Sequence, residues 1–251
     1  MSKVLFFDIE TAPNLSYVWG QWQQDVIEHV NEWYILCFSY KWEDQKSTHV
    51  VALKDFELYD NDPDNDLQVV KKLWELLDEA DIVIGHNSDA FDIKKANARF
   101  VYHGLAPPSH YQTVDTLKLA RRHFKFNSNR LGHLGEHLGL GGKESTGGFE
   151  TWAGCMKGDT KAWAVMKKYA KQDVDLLVDV YERLRPWATS HPNRNVIDGT
   201  SHACPTCGSN KLQKRGTRKT RTMTYQTYQC NRCKSYCRER IALVSPRPEV
   251  V

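Results

Sequence analysis

The chain has 251 residues, 41% apolar and 26% charged, which is an ordinary balance for a globular protein and room for a medium domain beside a small one. No apolar run approaches the ~20 residues needed to cross a bilayer, and no charged leader with an apolar core precedes the first strand-like segment, so the expectation is a cytoplasmic protein with no membrane attachment. The net charge of +3 conceals an uneven spread: residues 201–251 hold 11 Lys/Arg against 2 Asp/Glu, leaving 23 basic and 29 acidic residues in 1–200. A basic tail attracts a polyanion, and an acidic body is neutralised most simply by bound cations.

In chain order, residues 4–7 form a short apolar run that ends in acids, the pattern of a buried first strand. Residues 33–42 and 49–53 are rich in β-branched and aromatic side chains and read as the next two strands. Leu67, Val70, Leu73, Trp74 and Leu77 make a helical stripe over 66–80. Residues 81–85 are a further strand stopped by glycine, and 91–103 a helix. Residues 114–123 read as a helix or a strand-to-helix passage, and 130–138 as a shorter helix. Residues 160–185 carry two helical segments with a Tyr–Asp pair near their junction. Strands early and helices late predict an α/β layered domain, here residues 1–187. Residues 188–202, with a proline, a glycine and few apolar side chains, read as a linker, followed by a small β module at 203–243 and a flexible tail at 244–251. The segment 14–31, rich in Trp and Gln, and the loop 141–158 are expected near the substrate channel without a placed structure.

Four acids stand out. Asp8 and Glu10 are two apart on a strand, so both side chains share a face. Asp92 follows Asn87 and Phe91 just after a strand, and Asp173 lies four residues beyond Tyr169 on one helical face. Taken singly, the first pair could be solvated strand-end charge, the second segment a helix cap and the third a surface acid. In this order together they match the hard oxygen ligands of a two-metal phosphodiester hydrolase, whose cations sit ~3.5–4 Å apart. Asp89 and Asp115 read as a turn acid and a strand-end acid. His86 lies beside Asn87 and is open to either a substrate contact or a structural hydrogen bond. His133 and His137 have a zinc-compatible spacing but no third ligand in view.

The segments Phe6-Phe7-Asp8-Ile9-Glu10-Thr11, Asn87-Ser88-Asp89-Ala90-Phe91-Asp92 and Tyr169-Ala170-Lys171-Gln172-Asp173 resemble the three motifs of the DEDD superfamily of 3′–5′ exonucleases. The Tyr-x-x-x-Asp form is that of its tyrosine subfamily, and the likeness is strongest to stand-alone, family-B-polymerase-like exonucleases of bacteria and phages. The histidine subfamily would place its histidine where Lys168 stands. The resemblance spans roughly residues 3–185. It implies a ribonuclease-H-like α/β fold with a mixed central sheet flanked by helices, and two Mg²⁺ or Mn²⁺ ions. By resemblance Asp8 would bridge the ions, Glu10 and Asp173 would complete one site, and Asp92 would hold the second ion through water. Tyr169 would orient the attacking water, Thr11 and Asn87 would meet the 3′-terminal nucleotide, and Phe91 would pack beneath the site. The implied partner is nucleic acid, DNA with single-stranded 3′ ends favoured, together with replication or repair proteins. An exoribonuclease, a catalytically silent binder on the same scaffold and a recombination nuclease are the competing classes.

Cys204, Cys207, Cys230 and Cys233 form two Cys-x-x-Cys pairs with 22 residues between them, slightly more than the ~15–20 of a typical zinc ribbon. Four thiolates would close one Zn²⁺ to substrate and make it structural. Of the other cysteines, Cys37 reads as a small buried residue and Cys237 as a spare thiol beside the site. Lys211, Lys214, Arg215, Arg218, Lys219 and Arg221, followed by Tyr225 and Tyr228, are candidates for phosphate and base contacts. A solvated charged hairpin or a protein-docking surface would use the same residues.

Overall fold

The computed structural model describes residues 1–22, 25–142 and 147–243; the tail expected at 244–251 lies outside them. Its first strand, β1 (Val4–Thr11), is the centre of a five-stranded sheet. After it come the hairpin strands β2 (Leu15–Tyr17) and β3 (Glu28–Asn31), then β4 (Ile35–Trp42) and β5 (His49–Ala52). Helix α1 (Leu67–Glu79), β6 (Ile82–Gly85), α2 (Asp92–Tyr102), β7 (Gln112–Asp115) and α3 (Thr116–His123) complete the first half of the domain. Helices α4 (Leu131–His137), α5 (Phe149–Met156) and α6 (Thr160–Leu184) follow, then the short α7 (Arg194–Ile197) and the strands β8 (Leu212–Lys219), β9 (Thr224–Cys230) and β10 (Tyr236–Arg238).

The sheet order is β5-β4-β1-β6-β7. β1 runs antiparallel to β4 and parallel to β6, which is itself parallel to β7, so the sheet is mixed and helix-flanked as expected. Buried on both faces, β1 divides its side chains by parity. Leu5, Phe7 and Ile9 enter a core with β4, α1 and the N-terminal half of α6. Val4 and Phe6 enter a second core with β6, α4 and the C-terminal half of α6. Asp8 and Glu10 continue that second row, so the alternation that buries Phe6 against Tyr181, ring centroids 5.4 Å apart, also points both acids toward α6.

α6 departs from the two segments expected: it is one unbroken helix of 25 residues. No Pro or Gly interrupts it, and buried Trp163, Met166, Ala170, Val174, Leu177 and Tyr181 recur at helical spacing along its whole length. Tyr169 and Asp173 sit mid-helix, on a rigid rod. Asp159 starts it by accepting the Lys161 N–H at 2.8 Å.

The stretch 188–202, read as a linker, is tied down at both ends. Arg194 is buried, and its Nε donates to Ser2 Oγ at 2.8 Å while its Nη1 meets Glu43 at 2.7 Å. Its backbone N–H donates to the Pro205 carbonyl at 2.8 Å, and Asn195 Nδ2 donates to the Ala203 carbonyl at 2.7 Å. Ser2 N–H also bonds to the Asp198 carboxylate. One short helix therefore joins the start of the chain, the sheet and the cysteine module. Among the described residues no helix is long and apolar enough to cross a membrane.

Candidate active site and cysteine cluster

The end of β1, the β6–α2 turn and the middle of α6 meet at a cavity of about 850 Å³. Asp8, Glu10, Asn87, Phe91, Asp92, Tyr169 and Asp173 all line it. Asp8, Glu10 and Asp173 come closest: each offers a carboxylate oxygen within 4.8 Å of the others. Like charges so near one another are unfavourable without a cation between them. The donor set is all oxygen, with no thiolate or imidazole in the group, and so suits hard divalent ions.

Asp92 stands apart from that cluster. It is the first residue of α2, it is buried, and its Oδ1 accepts the Ile9 N–H at 3.1 Å. Burial raises its carboxyl to about 7, an effect the Ile9 N–H opposes and the Asp115 charge reinforces. A carboxyl with a higher pKa folded than unfolded favours the folded state while protonated. Metal-free protein therefore loses stability as pH rises from about 4 through 7. Asp92→Asn keeps an oxygen for Ile9 and removes the charge. Without metal, thermal melts should show the variant more stable by several degrees at pH 8 and the gap closing toward pH 4. A gap that widens on acidification would contradict this assignment.

The turn that delivers Asn87 and Asp92 is built from backbone constraints. Asn87 adopts a left-handed φ of 66°, which Asn tolerates better than most residues. Its N–H donates to Asp115 at 3.0 Å, and its carbonyl accepts from Ala90 and Phe91. A Cβ on Gly85 would lie 2.4 Å from that of Ser88, so only glycine lets the turn fold back on its strand. Asp115 also caps α3 through the N–H groups of Leu117 and Lys118, and Asp89 pairs with Lys118 at 2.7 Å. Both are structural, as their sequence contexts indicate. Phe91 does not pack beneath the site: it remains 40% exposed on the cavity wall. Thr11 lines an adjoining 340 Å³ pocket with Trp33, Lys95, Phe149 and Trp152.

Burial raises the Tyr169 phenol far above its ordinary range, and the carboxylates of Asp173, Glu10 and Asp8 add to it. Tyr169 therefore stays protonated in the neutral range and keeps an O–H to donate. Trp152 of α5 packs edge-on against its ring at 6.1 Å, a support hidden in the loop left unplaced from the sequence. Arg121, Arg130 and His133 also line the cavity. Sequence reading passed over both arginines, which belong to no motif; the signal was a cation at the start of α4 and another two residues before the end of α3. His86 lies on the same wall, with Nδ1 against Thr116 Oγ1 and Nε2 against the Asn129 carbonyl, both at 2.9 Å. His133 and His137 stack at 5.9 Å and join no metal-competent group among the described residues.

Cys204, Cys207, Cys230 and Cys233 are buried, with sulfur ligand atoms all within 4.8 Å of one another. The Cys204–Cys233 and Cys207–Cys230 sulfurs are 3.6 Å apart, far longer than a disulfide. The two knuckles repeat one pattern. Gly208 N–H donates to Cys204 O and Lys234 N–H to Cys230 O, at 2.8 and 2.9 Å, with φ of 69° and 64°. The strands β10-β9-β8 complete a ribbon-like unit. Cys37 and Cys155 are buried free thiols elsewhere, and Cys237 is half-buried. Of the expected basic contacts, Lys214, Arg215, Arg218 and Lys219 lie exposed on β8, Lys211 just before it, and Arg221 in the turn after it.

A family model described as the RNase_H superfamily matches residues 5–185. No curated protein matches the chain. Among solved structures, the family B DNA polymerase from the hyperthermophilic archaeon Pyrobaculum calidifontis is similar, with a TM-score of 0.55 and 17% identity. The match covers 74% of this chain and 25% of the polymerase, so the chain spans about a quarter of that protein's length.

Proposed function

The chain belongs to the RNase_H superfamily, and from that premise we propose that it is a metal-dependent 3′–5′ exonuclease that shortens single-stranded DNA to 5′-mononucleotides. The observation that carries this reading is the gathering of Asp8, Glu10 and Asp173 within 4.8 Å, in a cavity that Asp92 and Tyr169 also line. Asp8, Glu10 and Asp173 would hold one Mg²⁺ or Mn²⁺, and Asp8 with Asp92 a second. When bound, such ions activate the attacking water and stabilise the leaving oxygen.

The chain's own groups do the positioning. Tyr169, hydrogen-bonded to Asp173 and braced by Trp152, would orient the attacking water. Arg121 and Arg130 supply positive charge on the cavity wall opposite in sign to the substrate backbone. The 3′–5′ polarity and the preference for DNA rest on the likeness of the three acidic segments. The four cysteines would hold one structural Zn²⁺.

Hydrolysis of a DNA and an RNA 20-mer of the same sequence, each with Mg²⁺ or Mn²⁺, tests the substrate. The proposal expects DNA to be degraded about tenfold faster or more. RNA degraded at the same rate or faster would assign the chain to exoribonucleases, since the same acids can hydrolyse either backbone.

A further inference from the structure

The cysteine module presents two different sheet faces. Strand pairing sets Arg218 against Tyr225, Arg238 against Thr227 and Tyr236 against Gln229. Paired residues share a face and neighbours along a strand alternate, so these six lie on one side of the sheet. Lys214, paired with Tyr228, and Lys219, paired with Thr224, point to the other. On the first face the Arg238 guanidinium sits 3.8 Å above the Tyr225 ring, Arg218 is exposed and Tyr236 is 60% exposed.

This face opens on a 270 Å³ cleft shared with Ala188, Thr189 and His191. A second cleft of 200 Å³ includes Ala188 and His191 and runs along Lys118, Arg122 and His123 of α3. The same helix sends Leu117 and Arg121 into the catalytic cavity. The two acids on this course are already engaged, Asp89 by Lys118 and Asp115 by the N–H groups of Asn87, Leu117 and Lys118.

Resting on the nuclease reading, we infer that a single nucleic-acid strand runs from the catalytic cavity across α3 onto the Arg218–Tyr236–Arg238 face of the cysteine module. Charge complementarity selects a polyanion: residues 201–251 hold 11 Lys/Arg against 2 Asp/Glu. The planar guanidinium groups and the open phenol select unpaired bases, whose faces a duplex hides. The module thus acts as an extended part of the substrate site, engaged only by strands long enough to reach it.

The test compares a 4-mer with a 20-mer single strand, using full-length zinc-loaded wild type, the R218A/Y236A/R238A variant and K214A/K219A, which removes equal charge from the opposite face. Wild type should favour the 20-mer in kcat/KM by about tenfold or more. The triple variant should lose most of that preference, keep its 4-mer rate, and show a salt slope for 20-mer affinity shallower by about 1.4, two contacts at ~0.7 each. K214A/K219A should change little. Retention of the 20-mer preference by the triple variant would overturn the inference, as would equal losses in both variants or equally tight binding of a blunt duplex. If wild type cleaves neither strand, the nuclease reading fails; fluorescence anisotropy of the 20-mer against the same three proteins then still decides whether this face binds it.

Discussion

Asp8→Asn is expected to slow strand hydrolysis by at least about 10³-fold, roughly 4 kcal/mol of transition-state stabilisation, while making the metal-free protein more stable. Both effects have one cause. Asp8 belongs to a trio of carboxylates within 4.8 Å, an arrangement that is repulsive alone and favourable around a divalent ion. Removing one charge relieves the repulsion and destroys the ion site together. Thermal melts should separate the two consequences: Mn²⁺ should raise the wild-type Tm by linkage and leave the variant unmoved. A variant that keeps full activity, or that is stabilised by Mn²⁺ as strongly as wild type, would refute the role given to this cluster.

Loss of zinc is expected to unfold the cysteine module. Its core consists of the four cysteines with Leu212 packed against them, so little apolar burial remains without an ion. Binding of about 10–16 kcal/mol would then be most of the module's folding free energy. The effect should also spread to the catalytic body. Ser235 Oγ donates to the Arg185 carbonyl at the end of α6, and Arg194 and Asn195 bond to Pro205 and Ala203. Chelation, or Cys230→Ser, should therefore open residues 188–202 to proteolysis and lower the melting temperature of the remaining domain. Purified protein should carry one zinc per chain. Metal-free protein with an unaltered proteolytic pattern would contradict this account.

The sheet and its site were largely legible in the sequence because short-range pattern and covalent spacing dictate them. Alternation in β1 puts Asp8 and Glu10 in the row of Phe6, and i, i+4 spacing sets Tyr169 over Asp173. Features that depend on tertiary context were not legible. The spacing over 160–184 is helical without a Pro or Gly break, but only its continuous burial against two cores shows that it is one helix and not two. The hairpin of β2 and β3 is short and its apolar residues Leu15, Tyr17 and Val30 are all exposed, so no buried apolar row marks it. Residues 188–202 have a loop's composition, yet Arg194 becomes buried because Ser2 and Glu43, far away in sequence, complete its hydrogen bonds. Arg121 and Arg130 join the site only because α3 and α4 converge on one cavity.

In the proposed reaction the Asp8–Glu10–Asp173 cluster hydrolyses a strand from its 3′ end. A time course on a 5′-labelled single-stranded DNA oligonucleotide with Mg²⁺ or Mn²⁺, wild type beside Asp8→Ala, tests it most directly. Wild type should give a ladder that shortens steadily from the 3′ end, and the variant should leave the strand intact. An intact strand with folded, metal-supplied wild type, or immediate release of the labelled 5′ nucleotide, would contradict it.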